Sequence, residues 1–239
     1  MGRLLSCNRD RVHANWKKSG NCWFWEENRG VYHRPVDDVT AFVLAGGRSS
    51  RMGRDKAFLK LGGHTLLELA VAKARVLTAN VAIVGSQAKF AAFAPVVEDE
   101  YLERGPLGAI HAALAKSTTE WNFILAVDMP FVDGAFPQWL SGEAQQNEAV
   151  VTVTRPQGRL QPLCAVYRKR FEEIARRALD AGDNKIDRLF GEVPTRIVEE
   201  GQLLSAGFGA EMFRNVNTPE EWEEFVSTEY PVPSKKIRN

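Results

Sequence analysis

The residues best suited to chemistry lie in one glycine-rich, basic segment, residues 44–57, which reads LAGGRSSRMGRDKA. Gly46 and Gly47 permit backbone conformations and close approaches that a β-carbon would prevent. Consecutive backbone N–H groups in such a loop can form a concave anion site. Arg51 and Lys56 add positive charge. Because an apolar run typical of a buried strand precedes the segment, the pattern predicts a phosphate-binding loop.

Two familiar phosphate-binding motifs do not describe this segment. A dinucleotide-binding fold carries G-x-G-x-x-G, and the glycines here are spaced differently. A P-loop ends in G-K-[ST], whereas Lys56 follows Asp55 and precedes Ala57, which has no hydroxyl for magnesium. From these residues alone, a glycine turn beside a solvated basic loop stays an alternative interpretation.

The segments around this loop alternate between strand and helix patterns. The sequence predicts strands at 41–45, 81–84, 95–97, 122–127, 149–154, 161–167 and 196–198, and helices at 65–78, 106–116, 171–179 and 219–225. Such alternation predicts an α/β fold with a mainly parallel sheet and helices on both faces. In these folds ligands bind beyond the carboxyl ends of the strands, which is where the basic segment begins.

Two acidic points follow predicted strands at the same edge. Asp128 comes directly after the apolar strand at 122–127 and is followed by Met129 and Pro130. Magnesium is commonly bound by one or two carboxylates together with substrate phosphates, so Asp128 is a candidate metal ligand. Glu98 and Asp99 follow the strand at 95–97. A turn aspartate and a solvated acidic loop are the alternative interpretations of the two points.

The string L-A-G-G-x-S-x-R-M-G-x-D-K-A resembles the signature of the MobA-like molybdenum cofactor guanylyltransferases, a family of nucleotidyltransferases. The resemblance continues through Asp128-x-Pro130, a G-P-L-G segment at 105–108 and an N-x-N-T-P-E segment at 215–220, and it covers residues 39 to about 225. It implies a Rossmann-like three-layer α/β/α nucleotidyltransferase fold with a mainly parallel mixed sheet. It also implies the reaction: GMP passes from GTP to molybdenum-molybdopterin cofactor, with Mg²⁺ as the metal, and pyrophosphate leaves.

The resemblance assigns roles to the residues of the site. It implies nucleotide contacts for Leu44, Ala45, Gly46, Gly47, Lys56, Asp99 and Asp128, catalytic roles for Lys56, Arg51 and Asp128, and magnesium binding by Asp128. The acceptor side falls to Asn217, Gln161 and Arg159. Structural roles stay open for two of these residues: Asn217 caps the last helix in this alternative, and Arg159 is a surface residue of a hairpin.

One departure from the family pattern affects the prediction of which nucleotide base the protein selects. Guanylyltransferases often have an asparagine after the second strand, where this chain reads Gly85-Ser86-Gln87, although the Ala-Gly-Gly start of the loop favours guanine over cytosine. A cytidylyltransferase or a sugar-phosphate nucleotidyltransferase of the same superfamily is therefore an alternative. A non-catalytic GTP-binding protein is another, which the joint presence of Lys56 and Asp128 argues against.

Composition limits the other classes of function. The chain has 239 residues, 44% of them hydrophobic, and a formal net charge of +1, so no bulk charge indicates nucleic acid or membrane as a partner. Three widely spaced cysteines predict neither a zinc site nor a disulfide framework, and the expected compartment is the cytoplasm. Molybdoenzymes or their chaperones stay open as protein partners. We expect an N-terminal extension at 1–38 that is partly disordered or packed onto the domain surface, a nucleotidyltransferase domain at 39–228 and a tail at 229–239.

Overall fold

A short hairpin is the first element among the residues that the structure describes. A computed structural model describes residues 16–19, 22–25, 38–46, 55–61, 63–101 and 104–216. Strands β1 (Trp16–Ser19) and β2 (Cys22–Trp25) pair antiparallel, with Trp16 opposite Trp25. This hairpin belongs to the first of two units, residues 1–32 and 33–239, and it is an addition to the elements that the sequence predicts. The domain boundaries at 38 and 228 stay predictions.

The second unit is built on a seven-stranded sheet. The described strands of this unit are β3 (Val39–Leu44), β4 (Lys60–Leu61), β5 (His64–Thr65), β6 (Val81–Val84), β7 (Val96–Val97), β8 (Trp121–Ala126), β9 (Val151–Arg155), β10 (Cys164–Arg168) and β11 (Thr195–Glu199). Strands β4 and β5 form a separate two-stranded hairpin, and the other seven strands form the sheet. The order across the sheet is β11-β9-β10-β8-β3-β6-β7. Strand β10 runs antiparallel to both of its neighbours, and the other pairs are parallel. The sheet is therefore mixed and mainly parallel, as predicted.

Helices cover both faces of this sheet. They are α1 (Leu66–Leu77), α2 (Gln87–Phe90), α3 (Pro106–Lys116), α4 (Phe136–Gln145), α5 (Phe171–Asp180), α6 (Ile186–Leu189) and α7 (Glu200–Ser205). Buried residues of α1, α4 and α7 form one hydrophobic core with the sheet, and those of α3, α5 and α6 form a second core. The central strands β3 and β8 are apolar along most of their length because both of their faces are covered. The predicted three-layer α/β/α fold is thus confirmed.

Local sequence signals explain where helices α1 and α3 begin. Thr65 and Glu68 form a capping box at the start of α1, in which the Glu68 N–H donates to the Thr65 hydroxyl at 3.1 Å. Helix α3 follows Gly105, whose φ of 67° favours glycine, and begins with Pro106, whose missing N–H costs nothing in the first turn. The two helices pack on opposite faces of the sheet.

Most of the predicted elements occur. The predicted helices at 65–78, 106–116 and 171–179 match α1, α3 and α5 to within one residue, and each predicted strand occurs with ends displaced by up to three residues. Helix α4 is absent from the predicted elements, since it begins without a side-chain cap and contains Gly142. The predicted helix at 219–225 lies outside the described residues. No helix of the described residues is long and apolar enough to cross a membrane.

Candidate active site

Strand β3 leads into the glycine-rich segment, which begins between the ends of β8 and β6. The Val127 N–H, just after β8, donates to the Leu44 carbonyl at 3.0 Å. On the opposite side, the Ala45 N–H donates to the Val84 carbonyl of β6 at 2.9 Å. The segment therefore begins between Asp128 and the end of β6, at the point where the order of parallel strands reverses.

The first amides of the segment belong to the sheet. The Gly46 N–H donates to the Val84 carbonyl at 3.1 Å, so this carbonyl accepts from both Ala45 and Gly46. These two donors are occupied, and Gly46 is exposed. Amides that bind phosphate must come from later positions in the loop. Gly47 and Arg51 lie outside the described residues.

A lysine and an aspartate meet at this edge. The Lys56 Nζ lies 3.4 Å from the Asp128 Oδ2, and the two side chains are 19% and 23% exposed, so both remain accessible to a ligand. Lys56 begins a short 3-10 helix that Asp55 caps by accepting the Ala57 N–H at 3.2 Å. Asp55 also accepts from the Lys89 Nζ at 2.8 Å. This cap fixes the start of the 3-10 helix at Lys56.

The backbone of Asp128 is fixed from the C-terminal side of the chain. The Val216 N–H donates to the Asp128 carbonyl at 3.1 Å, across 88 positions of sequence. The N-x-N-T-P-E segment therefore begins beside the strand end that carries Asp128. Asn217, the predicted acceptor-side residue, lies outside the described residues.

Lys73, which lies within the helix predicted at 65–78, contacts the same turn. It occupies a position of the apolar stripe of α1, is 8% exposed, and its Nζ donates to the Pro130 carbonyl. Burial lowers the pKa of Lys73 to about 8, and Cys164 and Asp133 partly oppose this change. A charged residue in an otherwise apolar stripe is the signal that could have identified it.

Asp99 packs against the start of α3. Its Oδ1 accepts from the Tyr101 N–H at 2.9 Å, and burial raises the pKa of its carboxyl while this hydrogen bond partly opposes the rise. A β-carbon at Gly108, in the G-P-L-G segment, would lie 3.0 Å from the Asp99 Oδ2, so glycine permits this close approach. The neighbouring Glu98 accepts instead from the Gln87 N–H at 3.1 Å. Of the two acids, Asp99, the predicted nucleotide contact, is the one that lies against the G-P-L-G segment.

The segment Gly85-Ser86-Gln87, in which the chain departs from the family pattern, follows β6 at the same edge. Ser86 precedes α2 and makes no side-chain hydrogen bond to the helix, and the Gln87 side chain is exposed. Gly85 donates its N–H to the Val97 carbonyl of β7 at 2.9 Å. The serine and glutamine side chains are thus not used to cap the helix, and both lie between the glycine-rich segment and the strand that leads to Asp99.

The predicted acceptor side reaches this edge because β10 is antiparallel. The chain before β10 therefore lies beside the end of β8, where the Ala126 N–H donates to the Leu163 carbonyl at 2.8 Å. Gln161 is half-buried and Arg159 is exposed. Arg155 pairs with Glu199 through two nitrogens, one at 3.1 Å.

The donor chemistry of Asp128 fits a magnesium ion that also binds substrate phosphates. Among the described residues no group of three or more His, Cys, Asp or Glu side chains could hold a metal by itself. Magnesium does not need such a cage, since one carboxylate with phosphate oxygens and water is a common arrangement. His111 is buried and lies 3.1 Å from the Glu172 Oε1, and Cys164 is a buried strand residue.

Comparison with known proteins agrees with this geometry. The model of the MobA-like NTP transferase domain matches residues 41–196, which include the glycine-rich segment, Asp99, Asp128, Arg159 and Gln161. The chain belongs to this family. The resemblance predicted from the sequence is thereby confirmed, and the chain is an enzyme of the nucleotidyltransferase class.

Individual relatives carry a consistent name. The molybdenum cofactor guanylyltransferase of Vibrio cholerae is 32% identical over 193 residues, which cover 79% of this chain and 91% of the relative. That of Desulfosudis oleivorans is 31% identical over 191 residues, which cover 79% of this chain and 94% of the relative. The crystal structure of molybdopterin-guanine dinucleotide biosynthesis protein A from Archaeoglobus fulgidus has a TM-score of 0.67 at 24% identity, covers 77% of this chain and 95% of its own, and shows the same fold.

Proposed function

We propose that the chain transfers GMP from GTP to molybdenum-molybdopterin cofactor and releases pyrophosphate. The observation that carries the proposal is the 3.4 Å contact between Lys56 and Asp128 beside the glycine-rich segment. A cation suited to phosphate oxygens and a carboxylate suited to magnesium thus lie at one point on the ligand-binding edge. The names of the relatives supply the acceptor, and the alanine and two glycines of the loop favour guanine.

The reaction requires positioning and charge stabilisation from the protein. An oxygen of the acceptor phosphate attacks the α-phosphorus of GTP in line, forms the new P–O bond and expels pyrophosphate. Since a phosphate monoester is largely ionised at neutral pH, with a second pKa of about 6, no general base is needed. The protein gains rate by holding the two phosphates in line and by placing charge where charge develops.

The residues divide this work. Lys56, together with Arg51 and the amides of the loop, stabilises the negative charge on the leaving pyrophosphate. Leu44, Ala45, Gly46 and Gly47 contact the nucleotide. Asp99 accepts hydrogen bonds from the nucleotide at the far side of the edge. Gln161, Arg159 and Asn217 face the acceptor.

We assign Mg²⁺ to Asp128. When bound, the ion offsets negative charge on the phosphate oxygens. Asp128 is suited to hold it because its carboxylate is accessible while its backbone is fixed through the Val216 N–H and through the bond between Val127 and Leu44. The contact with the Lys56 Nζ keeps the carboxylate on the side of the glycine-rich segment.

Substitution of Lys56 tests this assignment. Lys56→Ala should lower the turnover of GTP by about 100-fold or more, because one preorganised charge at the reacting phosphates is worth this much. Its thermal unfolding should stay close to that of the wild type. Lys116→Ala is the matched control, since Lys116 is an exposed lysine at the end of α3, which leads away from the site edge. Normal turnover of Lys56→Ala would contradict the proposed function.

A further inference from the structure

A buried lysine contacts the turn that carries Asp128. Lys73 lies on α1, and its Nζ donates to the carbonyl of Pro130, 57 positions along the chain and two residues after Asp128. Only 8% of Lys73 is exposed. The contact therefore joins a helix of the first core to the strand end of the candidate site through a bond that is shielded from water.

The turn itself has weak internal hydrogen bonds. The Met129 N–H donates to the Ala126 carbonyl at 3.3 Å, and the Val132 N–H donates to the Met129 carbonyl at 3.5 Å. Both distances exceed the usual 2.9–3.0 Å of an N–H···O bond. The Val216 N–H anchors the start of the turn at the Asp128 carbonyl. A charge-assisted bond from Lys73 is stronger than a neutral one, so the lysine adds a second anchor two residues later, at Pro130.

A lysine at this position needs a physical reason. The neighbouring stripe positions of α1, Leu66, Ala70, Ala74 and Leu77, are buried and apolar. Burial of an ammonium group is costly unless the group is hydrogen-bonded. Methionine would fill a similar volume without this cost, whereas it could not donate to the Pro130 carbonyl.

We propose that Lys73 is a positioning residue, which holds the turn at 128–132 so that Asp128 stays in register with Lys56. The inference rests on the proposed function, because it concerns the same two residues. Lys73 does not touch the reacting groups and acts through the backbone of the turn. Since a misplacement of about 1 Å can cost about 100-fold in rate, loss of this bond should lower turnover without unfolding the protein.

The test compares Lys73→Met with Lys169→Met. Lys169 also donates its Nζ to backbone carbonyls, those of Leu114 and Ala115, but it follows β10 at the opposite edge of the sheet. Both variants lose a bond between a lysine and carbonyl groups, and only one of these bonds reaches the turn. Amide hydrogen exchange of the full chain without ligands, together with kcat and KM for GTP at saturating acceptor, gives the two readouts.

We expect exchange at the Met129 and Val132 amides to rise by about tenfold or more in Lys73→Met and to stay unchanged in Lys169→Met. We also expect kcat to fall by about tenfold or more in Lys73→Met, with a smaller change in KM. Unchanged exchange in the turn, or equal kcat values for the two variants, would overturn the inference. If Lys73→Met does not fold, Lys73→Gln is compared with Lys169→Met in the same two measurements. Its side chain carries a donor but is shorter than that of lysine.

The two failures are distinguishable. If the wild-type protein releases no pyrophosphate from GTP, the proposed function fails, and the exchange data still decide whether Lys73 holds the turn. If the wild type is active and depends on Lys56 while Lys73→Met matches Lys169→Met, only the positioning role fails.

Discussion

Replacement of Lys73 by methionine should change how the stability of the protein responds to pH. Burial lowers the pKa of Lys73 from its ordinary 10.5 to about 8 in the folded protein. This difference corresponds to about 3 kcal/mol. The free energy of unfolding is lower by this amount when Lys73 is charged in the folded and the unfolded protein than when it is neutral in both. Methionine carries no proton and removes this contribution.

The sign follows from proton binding. Below pH 8 the lysine is charged in both states, and the folded protein bears the full penalty. Between pH 8 and 10.5 the folded protein releases a proton that the unfolded chain still holds. Since the unfolded state then binds more protons, the free energy of unfolding of the wild type rises with pH, by about 1 kcal/mol between pH 7 and 9 from this residue.

Urea unfolding of the wild type and of Lys73→Met at pH 7, 8 and 9 measures this contribution. Burial raises the pKa values of Cys164 and Tyr167, which lowers stability at the alkaline end, and both residues are present in the two proteins. Their main effect therefore cancels in the difference. The free energy of unfolding of the wild type should rise by about 1 kcal/mol relative to that of the variant between pH 7 and pH 9. A difference that stays constant, or that moves in the other direction, would refute the reasoning.

Three further substitutions test the packing that supports the site. Gly85→Ala should lower the free energy of unfolding by about 1–3 kcal/mol, because its β-carbon would lie 2.8 Å from the Phe90 ring. Gly142→Ala, the matched control within α4, has no atom within 4 Å of the added carbon and should raise stability by about 0.5–1 kcal/mol in the same urea titration. Thr65→Ala should cost about 1 kcal/mol through loss of the helix cap, measured by thermal unfolding; an unchanged midpoint would contradict the capping role.

Local patterns predict the parts of the site that strand ends position. Asp128 and the glycine-rich segment each follow an apolar strand directly, so their meeting at one edge follows from the parallel sheet. Asp99 is predictable for the same reason, whereas its contact with Gly108 depends on how α3 packs. The helix pattern identifies α1, but it interprets Lys73 only as part of an apolar face.

Long-range contacts account for what the sequence could not predict. Arg155 pairs with Glu199, 44 positions away, and no local pattern indicates that this arginine is occupied. The bond from Lys73 to Pro130 likewise joins elements 57 positions apart. Both depend on the order of strands and on the packing of helices across the sheet, which the spacing of residue types does not encode.

The most direct test of the central claim is pyrophosphate release by the wild type with Mg²⁺ and molybdenum-molybdopterin cofactor, with GTP, CTP and ATP in parallel. The account predicts release with GTP and formation of the guanine dinucleotide form of the cofactor. Release with CTP instead would assign the chain to cytidylyl transfer and would make Gly85-Ser86-Gln87 the first segment to examine for base selection. GTP binding without pyrophosphate release would contradict catalysis itself.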